Sequence, residues 1–245
     1  MLTHPTMEKL KTLRLNGMLD ALEKQMEVTD SKELTFEERL GMLLDAQDTY
    51  QRNQRFARHL KSANLRQSAC IEDIDYKHPR GLDKGQLLTL ASCRWIEEHN
   101  NVLLTGSTGT GKTYLACALA QVCCRNGGRA LYLRLPRMLQ DLKVARADGR
   151  YSRMLTAWAK LDLLVIDDFG LAPLSPESTR DLLEVLDDRY GVSSTLIASQ
   201  LPTKSWYDTM EDPTLADAVL DRLVHNAYKI ELEGESIRKR KKKGE

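Results

Sequence analysis

The eight residues GSTGTGKT at positions 106–113 leave this chain few folds to choose from. They match G-x-x-x-x-G-K-[ST] in full and stand between the apolar run NVLLT and the helical run TYLACALAQVC. Gly106, Gly109 and Gly111 let the backbone curl so that successive N–H groups and a helix N-terminus converge on one point, where a phosphate is held. The spacing therefore predicts an ATP site built from Gly106, Ser107, Thr108, Gly109, Thr110, Gly111, Lys112, Thr113 and Tyr114. Lys112 is expected to bridge the β- and γ-phosphates, and the Thr113 hydroxyl to hold Mg²⁺.

Such a loop needs a second anchor for the metal. The stretch LLVIDDFG at 163–170 supplies one, an apolar run that ends in two carboxylates and breaks at a glycine. Asp167, closing the strand, is expected to bind Mg²⁺ or its water, which leaves Asp168 to orient and polarise the attacking water. A third apolar run, TLIASQ, ends in Gln200, whose polar side chain could hold that water near the γ-phosphate.

Around these motifs, short β-rich runs alternate with helical stretches: NVLLTG, RALYLRL, LDLLVIDD, STLIASQ and AYKIEL are separated by helices predicted from Lys112, Pro136, Pro176 and about Leu215. Alternation of this kind, with near-continuous apolar strands, predicts an α/β fold: a P-loop NTPase whose parallel sheet is flanked by helices. Ahead of it, leucines at helical spacing over 7–26 and a second helix from the capping box TFEE at Thr35 predict a small all-helical domain. That second helix carries an apolar stripe of Phe36, Leu40, Leu43, Leu44, Tyr50 and Phe56. The domain boundaries follow: 1–64 helical, an adaptor or oligomerisation domain; 65–85 a linker rich in Pro and Gly breakers; 86–234 the ATPase; 235–245 a basic C-terminal tail carrying RKRKKK.

Several classes drop out. A formal net charge of +1 over 245 residues gives no global field for nucleic acid, so any basic footprint must be local. The five cysteines lack Cys-x-x-Cys spacing and read as small buried side chains. No apolar run approaches membrane-spanning length and no secretory leader is seen, which predicts a cytoplasmic chain with no membrane partner. No Asn-Lys-x-Asp guanine-reading motif occurs, and no acceptor lid favours a small-molecule kinase, though that alternative shares the phosphate loop.

The series GSTGTGKTYLA, LLVIDDFG, TLIASQLP, LADAVLDRLVHNA and LEGESIRK resembles the AAA+ helper ATPases of insertion-sequence transposition, the IstB family, relatives of bacterial helicase loaders and of the replication initiator. The likeness extends through LRLNGMLDALEKQ at the N-terminus and so spans nearly the whole chain. It implies an ATPase that assembles with ATP on double-stranded DNA as a homo-oligomer, ring or helical, and recruits a transposase; a helicase loader would share every ATPase residue. It places Gln200 at sensor 1, usually Asn in this group, and Arg222 as an arginine finger donated to a neighbouring subunit; on the residues alone Arg189 in DDRY competes with it, and the resemblance decides for Arg222. Arg238 takes the sensor 2 position, beside Ile237 where relatives often carry Tyr. It also gives meaning to the basic stretch between the second and third strands, where Arg137, Lys143, Arg146, Arg150 and Arg153 would contact DNA phosphates with Tyr151 among them.

Overall fold

The computed structural model describes residues 5–27, 34–76, 78–234 and 236. It divides the chain into two compact units, Met1–Arg58 and His59–Glu245.

In the first unit the leucine pattern over 7–26 forms two helices rather than one, α1 (Pro5–Thr12) and α2 (Asn16–Glu27). The break is a helix stop written without glycine. Arg14 adopts a left-handed φ of 58°, Leu15 N–H donates to the Leu10 carbonyl at 2.9 Å, and Arg14 N–H donates to that of Lys11 at 2.9 Å. These paired bonds satisfy carbonyls that the helix end would leave open. Helix α3 (Phe36–Ser62) starts at the expected capping box: Thr35 N–H donates to Glu38 Oε2 at 2.8 Å, and Glu38 N–H to Thr35 Oγ1 at 3.3 Å.

The apolar stripe of α3 is not a buried face. Phe36 is 74% exposed and Leu44 55%, and among the described residues of α3 only Gln47 is fully buried, its Oε1 accepting from Met18 N–H at 3.2 Å. What brings α2 onto α3 is a missing side chain. A Cβ on Gly17 would lie 2.7 Å from the Ala46 carbonyl oxygen and 2.7 Å from Tyr50 Cβ, so the two backbones approach at a distance that only glycine allows.

The second unit begins inside the last turn of α3. Short helices α4 (Lys84–Ala91) and α5 (Arg94–Glu97), for which the sequence carried no clear signal, lead to β1 (Asn101–Gly106). Then come α6 (Lys112–Arg125), β2 (Ala130–Arg134), α7 (Leu135–Ala147), α8 (Tyr151–Ala159), β3 (Leu163–Phe169) and α9 (Pro176–Asp187). The unit closes with β4 (Ser194–Ser199), α10 (Pro213–Val224) and β5 (Ala227–Leu232). The five strands form one sheet in the order β2-β3-β4-β1-β5, parallel at every pairing.

Helices cover both faces of the three central strands, so these are buried almost residue by residue, whereas the edge strands β2 and β5 alternate. Leu103, Ile166 and Ile197 form the middle of a core that Leu182, Leu223 and Trp206 complete. Trp206 stacks on Phe169 with ring centroids 4.5 Å apart, anchoring the residue that follows the two carboxylates. Among the described residues no helix is long and apolar enough to cross a membrane. Of the five free cysteines, Cys93, Cys117, Cys123 and Cys124 are buried and Cys70 is partly so.

Replacing Gly17 by Val is expected to destabilise the helical unit by about 1–3 kcal/mol, because the backbones must part to admit the side chain. Urea unfolding followed by circular dichroism measures this, and an unchanged transition would contradict the close packing.

Candidate nucleotide-binding site

The strand order decides where a ligand can sit. With β4 inserted between β1 and β3, the loop after β1, the end of β4 and the end of β3 stand side by side at the carboxyl edge of the sheet, where ligands of open parallel sheets bind. This edge gathers most of the residues singled out from the sequence.

The loop after β1 is shaped as a cradle. Gly106 has φ 139°, and a Cβ there would come within 2.0 Å of the Leu232 carbonyl oxygen on β5. Gly111 precedes α6 with φ 100°, and no side chain caps that helix, so its first N–H groups point into the loop with their partial positive charge unmet. Lys112 Nζ donates to the carbonyls of Gly106, at 2.6 Å, and Ser107, at 2.8 Å, while Thr110 Oγ1 donates to the Ser107 carbonyl at 2.9 Å. Ser107 Oγ donates to the Gly234 carbonyl at 3.3 Å, and Thr108 Oγ1 to Gln200 Oε1 at 2.7 Å. The last bond sets the end of β4 directly against the loop.

Thr113 Oγ1 donates to Asp167 Oδ2 at 2.7 Å, which brings the two expected metal-holding residues together from separate elements. The same oxygen accepts from the Tyr132 hydroxyl at 2.6 Å, and Asp167 Oδ1 accepts from the Asp168 N–H at 2.8 Å. Asp167 is 2% exposed, and a carboxylate so buried needs this many donors. Burial first, and then the bond to Asp167, push the Tyr132 phenol well above its usual range, so it stays a protonated donor. A hydroxyl beside a carboxylate is a hard-oxygen pair of the kind Mg²⁺ takes, and the glycine cradle leaves room for phosphates; the residues present fit both groups.

Asp168 is arranged differently. The register of β3 against β4 shifts between Ile166 and Phe169, so β3 carries one extra residue there, and Asp168 sits at φ 61°. Its Oδ2 accepts from Arg134 Nε at 2.5 Å and lies 3.9 Å from Arg66 Nη1.

Arg66 and three further residues here escaped the sequence reading. Tyr132 and Arg134 lie two apart on β2 and so face the same way, but nothing in RALYLRL distinguishes them from ordinary strand residues. Arg80, in the segment expected to be a linker, is 4% exposed and donates from one terminal nitrogen to the Thr110 carbonyl at 3.0 Å and from the other to that of Asp75 at 3.1 Å. Its Nε is buried without a partner. Together with Gln67, Ile74 and Tyr114, Arg80 walls a cleft of about 400 Å³ beside Gly109, Lys112 and Thr113. The segment 65–85 thus also forms one side of the site.

The two finger candidates separate. Arg189 is 1% exposed, and its guanidinium is spent on the carbonyls of Trp158, Leu161 and Ser194 and on Thr195 Oγ1. It ties the sheet to its helices. Arg222 is 32% exposed on α10 and pairs with Asp187 at 2.8 Å and Asp221 at 3.3 Å. Its carbonyl accepts from Asn101 Nδ2 at the start of β1, which puts it one strand length, roughly 17 Å, from Gly106. It stands at the far edge of the sheet from the loop of its own chain.

The basic stretch is largely neutralised within the chain. Arg137 pairs with Asp141 at 3.1 Å, Arg150 pairs with Asp148, and Arg146 pairs with the buried Asp181 while stacking on Tyr151 at 3.9 Å. The Tyr151 hydroxyl also donates to Asp181, at 2.8 Å. Among the described residues, Lys143 and Arg153 are exposed and make no ion pair. Arg238, Ile237 and the RKRKKK tail lie outside the described residues.

Changing Tyr132 to Phe removes one donor from Asp167. Loss of a partner that orients a metal-holding side chain typically costs tenfold or more, so Mg²⁺-dependent binding of a fluorescent ATP analogue is expected to weaken about tenfold, with Mg²⁺-free binding unchanged. Equal affinity of the variant and the parent with Mg²⁺ would refute the role given to Tyr132.

Comparison with known proteins agrees with this geometry. The chain is 44% identical over 243 residues to an insertion-sequence ATP-binding protein of Sinorhizobium fredii, covering 99% of both, and 48% identical over 206 residues to that of IS1162 from Pseudomonas fluorescens, covering 84% of this chain and 89% of the relative. Among solved structures, the fold matches that of DnaI with a TM-score of 0.58 at 24% identity, over 69% of this chain and 92% of DnaI. It matches AMPPCP-bound DnaA of Aquifex aeolicus with a TM-score of 0.58 at 18% identity, over 71% and 53%. Residues 8–244 match the family of IstB-like ATP binding proteins, and the chain belongs to that family.

Proposed function

We propose that this protein is an ATP-hydrolysing helper of DNA transposition, which assembles on double-stranded DNA when ATP lies between its subunits and brings a transposase to the target. The observation that carries the reading is the separation of Arg222 from the phosphate loop of its own chain by the length of β1. A guanidinium so placed cannot serve its own nucleotide, but it can complete a neighbour's, which makes nucleotide and assembly interdependent. Kinship with insertion-sequence ATP-binding proteins supports the transposase partner. The DnaA structures solved with AMPPCP, one of them also with single-stranded DNA, support the nucleotide and the nucleic acid.

The division of labour follows from the contacts. The loop N–H groups and Lys112 hold the phosphates once Lys112 exchanges its carbonyl partners for them. Thr113 and Asp167 would hold Mg²⁺, which when bound would supply positive charge to offset that of the phosphates. Asp168 aims and polarises the attacking water, with Gln200 beside the γ-phosphate through its bond to Thr108. Arg222 from the neighbouring subunit stabilises charge as the bond breaks. Turnover removes the preference for the assembled state, so ATP works by shifting a population between free and assembled chains. With an Asp where many relatives of this architecture carry Glu, hydrolysis is expected to be slow, which suits a timer.

On DNA, Lys143 and Arg153 supply the free cations, and Arg137, Arg146 and Arg150 must give up intrachain partners to reach phosphates. Contacts of this kind are tolerant of sequence and weaken steeply with salt.

Asp168→Asn is expected to leave ATP affinity intact while lowering DNA-stimulated hydrolysis at least 100-fold and prolonging assemblies on DNA. Filter binding, phosphate release and light scattering read the three in turn, and loss of ATP binding would contradict the assignment of Asp168 to water. Arg222→Ala should be inactive alone but regain hydrolysis when mixed with a Lys112→Ala chain, because each supplies what the other lacks across an interface. No recovery at any mixing ratio would count against action in trans, and ATP hydrolysis indifferent to DNA would overturn the function as a whole.

A further inference from the structure

Asp168 is held by two cations that come from different places. Arg134 belongs to the neighbouring strand β2, but Arg66 belongs to the segment that follows α3, outside the sheet. Because β2 is the edge strand and β3 lies between it and β4, pairing with Arg134 and Arg66 draws the Asp168 carboxylate toward the β2 edge. That is the direction away from Gln200 and the phosphate loop.

The position of Arg66 is set by the end of α3. His59 Nδ1 lies 2.7 Å from the Gly128 carbonyl just ahead of β2, and since a carbonyl can only accept, that nitrogen carries the proton. Four residues on, the carbonyl of the fully buried Ala63 accepts from Tyr132 N–H at 2.8 Å. Asn64 then turns the chain at φ 50°, and Arg66 emerges beside Tyr132 and Asp168. The chain around the end of α3 is therefore fastened at two points, by His59 to Gly128 just ahead of β2 and by Ala63 just after α3 to Tyr132 on β2, and whatever moves that turn moves Arg66.

We propose that Arg66 is a positioning residue: carried by the end of α3, it helps to hold Asp168 turned away from the γ-phosphate, so that a shift of α3 releases the carboxylate for hydrolysis. This deepens the ATPase reading and rests on the assignment of Asp168 to water. It makes 59–66 a regulatory segment, with α3 the element on which a partner would act.

The test uses the full chain with ATP and Mg²⁺ but no DNA. Arg66→Gln is expected to raise kcat roughly two- to fivefold, the range open to a half-exposed ion pair, with KM for ATP unchanged. Arg66→Lys should lie between parent and Gln. His59→Ala, which loosens the same turn, should act in the same direction, and the double variant should exceed Arg66→Gln only slightly, because both changes release one restraint. Without any nucleotide, hydrogen exchange in a peptide covering 166–170 should quicken in Arg66→Gln. An unchanged or lowered kcat, or exchange equal to that of the parent, overturns the proposal. Asp168→Asn separates the two failures: if it still hydrolyses ATP at the parent rate, the assignment of water fails, and if it is inactive while Arg66→Gln changes nothing, only the restraint fails.

Discussion

One buried carboxylate joins the parts of this molecule that would otherwise meet only as neighbours. Asp167 accepts from Thr113 on α6, from Tyr132 on β2 and from the backbone of Asp168, so the phosphate loop, the edge strand and the end of β3 share a single charge. A carboxylate 2% exposed without these donors would cost several kcal/mol. The helix that starts at the loop and the strand that ends at the carboxylates therefore cannot shift independently.

The opposite edge has a different logic. Asn101, the first residue of β1, bonds to the carbonyls of Arg222 and Leu223 at 2.9 and 3.3 Å, and Arg189 is buried where the strands begin, in contact with carbonyls and one hydroxyl. Desolvation pulls the Arg189 guanidinium down to about 10, still far above neutrality, so it remains a charged tie between β4 and the helices. Arg222, with acids for partners on the surface, is free to exchange them. The two arginines line one cleft but differ in burial and in partners: the buried one is spent on carbonyls and a hydroxyl, and the half-exposed one is held only by surface acids.

That distinction marks the limit of what the sequence could tell. The phosphate loop, the parallel sheet and the paired carboxylates were legible because each is a local pattern: glycines at fixed spacing, apolar runs, a charge at a strand end. The capping box at Thr35 was legible for the same reason. Tyr132, Arg134, Arg66 and Arg80 were not, since each acts on a residue at least 30 positions away or through a buried contact that leaves no trace in its own neighbourhood. The stop at Arg14 was hidden because it lacks the usual glycine, and the stripe on α3 misled because periodic apolar residues say that a face exists, not that it is covered. Segment 65–85 reads as a linker because breakers end helices, and its side chains Gln67, Asp73, Ile74, Asp75 and Arg80 also line a cleft that no local pattern announces.

The left-handed turn at Asp168 limits which side chains can stand at the end of β3. Among residues with side chains, Asp and Asn tolerate φ near +60° best, since a short polar group can bond locally where a longer one loses that compensation. The backbone bulge by itself favours the shorter acid at this place. A change to Glu would have to be accommodated together with a change in the turn. Side-chain length here is thus coupled to the shape of a strand end, and under the role proposed above for Asp168 a longer acid would call for remodelling the edge of the sheet as well.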